Sequence, residues 1–454
     1  MRRALLCLTA LLSLVACRKD GIREDSFAIF DDKQLPEVSV SVSLDEWNRL
    51  LEMFDKDNDT KEYVKCNVEI AMSGRRETVK DAGLRLRGNT SRRRPEGKKG
   101  QMHKSPAADW HHFHSGLHFN RFSDITREVD GFRRINLKYA KEDPSYIREH
   151  FCFDLLSRYG VWTAPRSSWC KYYLHVGEDP APAYLGVHLM IESIDRQYLK
   201  KRPGFGSADG FLWKCGWGAD LRDTGSGKFH LDDNTNHSCP YELKEEEQAL
   251  FEPAKKQLIG FINNLNNLRG DEFKQWIEKV CDVSLLLKMY AVNVAVGHWD
   301  DYWNNMNNYY LYFNSRDDSE YKVFMLPYDY DNTLGTSHYC GVQSDSGRQD
   351  PYNWGIKQCP LISRIISIPE YKSIYTAYLK ELGSDGNPYF GYDAATARIR
   401  EWQGLISPYL DNDTGEDTQL RDAPASWGNH PEYRLLQDGA NNYFRVKCKV
   451  LKGI

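Results

Sequence analysis

No two cysteines of this 454-residue chain stand in Cys-x-x-Cys spacing, although the sequence contains 11 of them. That argues against a structural zinc site of the finger or ribbon kind. An excess of positive charge is also missing. The formal net charge is -4, which argues against nucleic acid as the main partner. The first apolar run, residues 4–14, is too short to cross a bilayer. The Gly-, Asp- and Asn-rich stretch 216–239 lacks the spacing of an EF-hand, and no internal repeat is visible.

The length is enough for two lobes with a cleft between them, and 27% charged with 41% hydrophobic residues describes a soluble globular protein. At the N-terminus Arg2 and Arg3 precede the apolar run, which ends in Leu14-Val15-Ala16-Cys17. This resembles the lipobox of bacterial lipoproteins, in which the Cys becomes the lipidated first residue. The alternative is an ordinary secretory signal. Either reading places the protein outside the cytoplasm; the first makes it a membrane-anchored lipoprotein held by lipid alone. Cys7 and Cys17 aside, nine cysteines remain, so at least one thiol is free unless it pairs between chains. Cys66, Cys152, Cys170 and Cys281 lie in apolar patterns and are expected to be buried small hydrophobes.

The most informative stretch is 297–335. Two aromatic-apolar runs, 309–313 and 321–326, read as strands of a hairpin closed by the polar segment 314–320. Asp300 and Asp301 precede the first strand, and Asp329 and Asp331 follow the second. A hairpin brings its ends together, so these carboxylates are expected to crowd, and crowded carboxylates call for a counter-ion. Hard oxygen ligands of this kind, with Asn305 five residues beyond Asp300, suit magnesium.

Alternating strands are expected over 35–42, 63–70, 79–87, 132–139, 168–176 and 183–191, and a short helix capped by Ser43 follows the first. The turn at 88–91, followed by Arg92, Arg93 and Arg94, offers free N–H groups and guanidiniums that can cradle phosphate; a solvated basic turn is the alternative. Residues 96–112 read as a mobile loop. The 132–139 strand carries Lys138, and the following helix, 146–159, has Arg148 and Glu149 in its first turns. A Lys–Glu pair here can orient the Lys onto a phosphate, or be a surface ion pair. Helices are expected over 245–268, 271–280, 283–296, 360–366, 369–383 and 392–410, the third of them apolar nearly all round and therefore buried. The resulting division is a signal peptide at 1–17, a tether at 18–34, a β-rich N-terminal lobe at 35–195, a connecting strand and long loop at 196–244, a helical C-terminal lobe at 245–410 and a C-terminal extension at 411–454. The fold class is α+β.

Several of these segments together resemble the CotH family, the spore-coat protein H-like atypical protein kinases, over about residues 35–410. They are Leu86-Arg87-Gly88-Asn89-Thr90-Ser91-Arg92, Asn136-Leu137-Lys138, Ile147-Arg148-Glu149, Tyr184-Leu185-Gly186-Val187 through Glu192, Trp299-Asp300 with Asn308-Tyr309-Tyr310-Leu311-Tyr312, and Pro327-Tyr328-Asp329-Tyr330-Asp331 with Gly335. The resemblance implies an atypical protein-kinase-like two-lobed fold that uses ATP and Mg²⁺ to phosphorylate Ser or Thr of an exported or surface protein. It implies Asp300 as the catalytic-loop aspartate, Asn305 as a catalytic-loop residue and metal ligand, and Asp329 and Asp331 as metal ligands. Lys138 and Glu149 become the phosphate-binding pair, with Arg87, Asn89, Arg92, Arg148 and Glu192 on the nucleotide side. The chain departs from ordinary kinases in lacking both a His-Arg-Asp triplet at 297–305 and an Asp-Phe-Gly. A non-catalytic surface or assembly protein on the same fold, or a transferase acting on a glycan or small molecule, would share much of this sequence.

Overall fold

The computed structural model describes residues 28–107, 109–141, 143–225, 227–232, 239–245, 247–336, 345–355, 359–423 and 433–454. The lipobox and most of the tether lie outside the described residues. Among the described residues no helix is long and apolar enough to cross a membrane.

The first part of the chain is β-rich. In order it forms β1 (Glu37–Val42), α1 (Leu44–Lys56), β2 (Val64–Met72), β3 (Arg75–Arg87), β4 (His114–His118), β5 (Arg134–Lys138), α2 (Arg148–Arg158), β6 (Ser167–Val176) and β7 (Ala183–Glu192). The seven strands close into a barrel in the order β1-β2-β3-β4-β5-β7-β6. Closure comes from the parallel pairing of β1 with β6, Glu37 opposite Lys171 through Val42 opposite Val176. Alternation decides what fills it: Val38, Val40, Val64, Val68, Leu84, Leu86, Ile135, Leu137 and Tyr172 point into one buried cluster. Ser43 caps α1 by accepting from the Glu46 N–H at 3.3 Å.

The second part is more helical. It comprises α3 (Arg196–Lys200), β8 (Phe211–Cys215), β9 (Phe229–Leu231), β10 (Tyr241–Leu243), α4 (Phe251–Asn267), α5 (Gly270–Val280), α6 (Val283–Val296), α7 (Tyr302–Asn305), β11 (Tyr309–Phe313), β12 (Val323–Pro327), α8 (Pro360–Ile366), α9 (Pro369–Gly383), α10 (Tyr392–Ile406) and α11 (Tyr443–Lys452). A five-stranded sheet, β12-β11-β8-β10-β9, lies within it. The mostly apolar α6 is the buried axis, packed against α9, α2 and α11. It ends at Gly297, whose φ of +68° closes the helix in the left-handed region. Only glycine fits there, since a Cβ would come within 2.5 Å of the Tyr443 hydroxyl. The architecture is thus mixed α+β, β-rich first and more helical second.

Several elements differ from the sequence reading. The hairpin's second strand begins at Val323 rather than residue 321, and strands β4, β9 and β10 and helices α3 and α7 were not anticipated. These are short, and their pattern is set by neighbouring strands rather than by their own periodicity. The described residues of 96–112 have irregular backbone, as expected, yet they are pinned rather than loose. Arg94 pairs with Asp55 at 2.9 Å, His103 lies between Glu96 at 2.9 Å and Asp179 at 3.2 Å, and the Trp47 indole donates to Glu96 at 2.8 Å. The eight cysteines among the described residues that are free include Cys66, Cys152, Cys170 and Cys281, all four buried; burial pushes the Cys66 thiol up to about 12.

Candidate functional site

The barrel and the helical part meet at Lys138, the last residue of β5. Its ammonium is 2.6 Å from Glu149 on α2, 2.6 Å from Asp329 just after β12, and 3.6 Å from Asp331. Three segments far apart in sequence therefore converge on one cation. Strand pairing decides which way Lys138 points: Leu137 faces the barrel interior, so its neighbour faces out. Asp329 adopts φ +59°, a left-handed conformation that is costly for a residue with a Cβ and tends to be kept at functional positions. Glu149 also accepts from the Tyr330 N–H at 3.3 Å. The Tyr330 hydroxyl donates to Asn293 Oδ1 at 2.5 Å, and the Asn293 amide donates to Asp301 at 3.2 Å. A hydrogen-bonded path thus runs from α2 through the 328–334 loop to α6.

The two neighbouring aspartates at the end of α6 have separate jobs. Asp301 is buried and caps α7, accepting from the Asn304 N–H at 2.8 Å. Asp300 instead accepts from three amides of its own loop: Asn305 at 2.6 Å, Asn307 at 3.0 Å and Asn308 at 2.9 Å. Its carboxyl is pushed up to about 6, by burial first and by the charges of Asp329 and Asp331, against the pull of the amides. Asp300 and Asp329 therefore lie close enough to sense each other's charge. Because the Asn305 nitrogen is committed to Asp300, its amide oxygen is the atom left to face a further ligand.

The charges around Lys138 do not balance. Burial raises Glu149 to about 8 despite Lys138 beside it, and burial with the Asp329 charge raises Asp331 to about 6. Asp329 is held below the ordinary value, because Lys138 more than offsets its burial. Lys138 itself is held well above its ordinary value: burial opposes its charge, but Asp329 and Glu149 outweigh that. Three carboxylates on one ammonium leave surplus negative charge unless a proton or a second cation joins them.

These residues fit magnesium in one way and not in another. Among the described residues no three His, Cys, Asp or Glu side chains converge as a self-sufficient metal cage. Magnesium bound together with a nucleotide does not need one, since one or two carboxylates suffice and phosphates and water complete the octahedron. Asp329 and Asp331 would be that pair, with the Asn305 oxygen as a further hard donor. The cavity beside Lys138 and Asp331, lined also by Tyr139, Tyr146 and Trp169, measures about 30 Å³. That holds about one water molecule, while Asp331, 39% exposed, keeps the cluster in contact with solvent.

Of the other residues named from the sequence, Arg87 lies nearest, its guanidinium 3.4 Å from the Tyr328 hydroxyl. Asn89 is exposed on the turn after β3. Arg92 is turned back onto the chain, donating to the carbonyls of Gly88, Asn58 and Thr60. Arg148 is fully buried, paired with Asp143 and donating to Ser145 Oγ at 2.8 Å and the Ala423 carbonyl at 2.9 Å. It anchors the start of α2 rather than facing the Lys138 cluster, because helical geometry sends adjacent residues to different faces. Glu192, at the end of β7, is held by Arg202 at 2.6 Å and sits at the junction between the two parts, outside the cluster. Three nearby groups were not singled out from the sequence. Asn307 and Asn308 hold Asp300, and Lys214 on β8 lies 5.6 Å from the Tyr328 ring and adds positive charge at Asp329. The repeated Asn at 304–308 was the signal for the first two; for Lys214 only the pairing of Lys214 with Tyr310 places it here.

Comparison with known proteins adds two findings. Residues 84–441 match the family described as CotH kinase protein. The inner spore coat protein H of Bacillus subtilis (strain 168) is 25% identical over 262 residues, covering 55% of this chain and 62% of that protein. The chain thus spans a little less than two thirds of the curated relative it matches.

Proposed function

The chain belongs to the CotH family, and from that premise we propose that it is an atypical, kinase-like phosphoryl transferase that moves the γ-phosphoryl group of ATP to a Ser or Thr hydroxyl of an exported or surface protein. The observation that carries this reading is the Lys138 ammonium held at 2.6 Å from both Glu149 and Asp329. A Lys fixed by a helix carboxylate beside a metal-binding carboxylate is the arrangement that phosphoryl transfer by kinases requires. Lys138 would bind the nucleotide's phosphates, with Glu149 keeping it in place. Asp329, Asp331 and the Asn305 oxygen would hold Mg²⁺, which supplies charge neutralisation on the phosphates. Asp300 would orient the acceptor hydroxyl and take its proton as the oxygen–phosphorus bond forms and ADP leaves. Its three amide donors fix that carboxylate in one orientation. The lipobox supports an extracytoplasmic, membrane-anchored location, and the net charge of -4 supports a protein partner rather than nucleic acid.

One observation favours a second reading. The 30 Å³ cavity at Lys138 suits a non-catalytic assembly protein in which the ion cluster only joins the two parts. Calorimetric titration of ATP with and without Mg²⁺ into wild type and Asp329→Asn separates the two. The transferase reading expects Mg²⁺-dependent binding that Asp329→Asn weakens by about tenfold or more, through loss of a charged ligand. Absence of nucleotide binding by wild type with any divalent metal leaves the assembly reading.

A further inference from the structure

The outer face of the barrel next to Lys138 is basic rather than apolar. On β3, β4 and β5 the cross-strand rows are Arg85 with Gly116 and Asn136, and Gly83 with His118 and Arg134. Arg87, one row closer to Lys138, pairs with His114. From Lys138 to Arg134 the face runs four residues, about 13 Å at strand rise. Tyr63 lies across it, with the Arg85 and Arg121 guanidiniums 5.2 and 5.3 Å from its ring.

The strip is built to lie flat. A Cβ at Gly116 would come within 2.9 Å of the Arg87 side chain, and one at Gly83 within 2.8 Å of both Arg121 and Tyr63. Glycine at these two strand positions lets guanidinium stems and a phenol ring cross the sheet where any other residue would lift them off. Among the described residues none of Arg85, Arg87, Arg121 and Arg134 has a carboxylate at ion-pair distance, although other arginines of this part of the chain do, such as Arg94 with Asp55 and Arg93 with Glu416.

Three groups of different chemistry respond to the resulting field. Burial acts to raise the Tyr63 phenol, yet Arg85, Arg134, Arg87 and Lys244 hold it below its ordinary value. His118 is driven down to about 3, by burial first and then by Arg134, Arg121 and Arg85. Arg92 falls to about 10 through burial, with Arg85 and Arg87 adding repulsion. An unneutralised cluster of this kind, partly shielded from water, is a place for a polyanion.

We propose that Arg85, Arg121 and Arg134, with Arg87 at the inner end, form an anion subsite that receives a carboxylate- or phosphate-bearing segment of the acceptor protein, flanking the hydroxyl presented to Asp300. The naming of the ligand as an acceptor segment rests on the phosphoryl-transfer reading of the Lys138 site. The strip extends beyond what the phosphate chain of one nucleotide bound at Lys138 would cover, and guanidiniums match planar carboxylates and phosphates bidentately.

The test uses the full chain and a dye-labelled peptide of six glutamates around one serine, followed by fluorescence anisotropy at low salt. A six-lysine counterpart and saturating Mg²⁺ with a non-hydrolysable ATP analogue are run alongside. Wild type should bind the acidic peptide, more weakly as salt rises, and no less tightly when the analogue is present. Arg85→Gln with Arg134→Gln should lose at least about tenfold in affinity, the scale of one or two charge-assisted hydrogen bonds. The exposed Arg121→Gln, which leaves the core untouched, should lose a smaller part, and Asp329→Asn should bind the peptide as wild type does. Equal peptide affinity in wild type and in folded variants of the strip would overturn the proposal. So would displacement of the peptide by the analogue, which would mean that the nucleotide fills the strip, or tighter binding of the lysine peptide. Acidic-peptide binding by a protein that takes no nucleotide would leave the subsite standing and remove the kinase reading alone.

Discussion

Replacing Lys138 with methionine keeps the length of the side chain and removes its charge. The ammonium is 18% exposed and Asp329, the carboxylate it keeps ionised, 31%, so the pair is largely buried. Removing one partner of such a pair leaves the other as an uncompensated charge, at a cost of about 3 kcal/mol or somewhat more. Asp331, 39% exposed, is screened by solvent and adds little. The pH dependence follows from linkage. Glu149 sits at about 8, above its ordinary 4.5, so below that pH it is protonated with or without Lys138 and does not separate the two proteins. Asp329 does: Lys138 holds it below its ordinary value, and without the ammonium its burial pushes it up. A carboxyl whose folded value lies above its unfolded one binds more protons in the folded state, so the variant loses stability as pH rises. Relative to wild type, the deficit of Lys138→Met should be smallest near pH 4 and largest near pH 8. Adding Asp329→Asn should recover much of it by removing the stranded charge. Urea unfolding followed by tryptophan fluorescence at several pH values measures all three proteins. A deficit below about 1 kcal/mol at pH 8, within the range of a surface pair, or one that does not change with pH, would refute the reasoning.

Asp300→Asn should leave Mg²⁺–ATP binding nearly intact while transfer falls by about 100-fold or more, the scale of a positioned acid–base group; full activity in a phosphorylation assay would end its role as base. Burial together with the charges of Asp329 and Asp331 raises the Asp300 carboxyl to about 6; Mg²⁺ on those two would lower it again, so transfer by wild type should fall only as pH drops below about 6, and the Asp300→Asn residual should lack this step. Gly210→Ala should destabilise the chain by on the order of 3 kcal/mol, because a Cβ there would lie 1.7 Å from the Phe313 carbonyl oxygen; a melting temperature equal to wild type would show that β8 and β11 can separate. Mass spectrometry of the protein from its native membrane should find an acylated N-terminal Cys17, and an unmodified terminus elsewhere would remove the lipoprotein reading.

Much of the chain could be read locally. The alternation over 35–42 and 183–191, the mostly apolar run 283–296 and the aromatic hairpin each carry their own pattern, and they form β1, β7, α6, β11 and β12 near the expected bounds. Asp300, Asp329 and Asp331 were named as carboxylates at the two ends of one hairpin, and Lys138 and Glu149 as a strand Lys followed by a helix with an early Glu; the structure joins Lys138 to Glu149, Asp329 and Asp331 and sets Asp300 within range of the charge of the last two. Other features follow from no local pattern. Barrel closure depends on β1 meeting β6 across more than a hundred residues, and β4, with all five residues buried, shows no alternation to read. Arg148 and Glu149 are neighbours in sequence, one cationic and one anionic. Only the packing of α2 sends one inward to Asp143 and the other to Lys138. Asp300 and Asp301 divide in the same way, one held by three amides, the other buried as a helix cap. Sequence determined which residues carry charge and which segments form strands and helices, because those follow from side-chain chemistry and periodicity. Tertiary structure alone decided which charges are partnered. Ion pairing depends on distances of a few ångströms between segments far apart in the chain, which is why the unpaired arginines beside Lys138 emerge only once the barrel is closed.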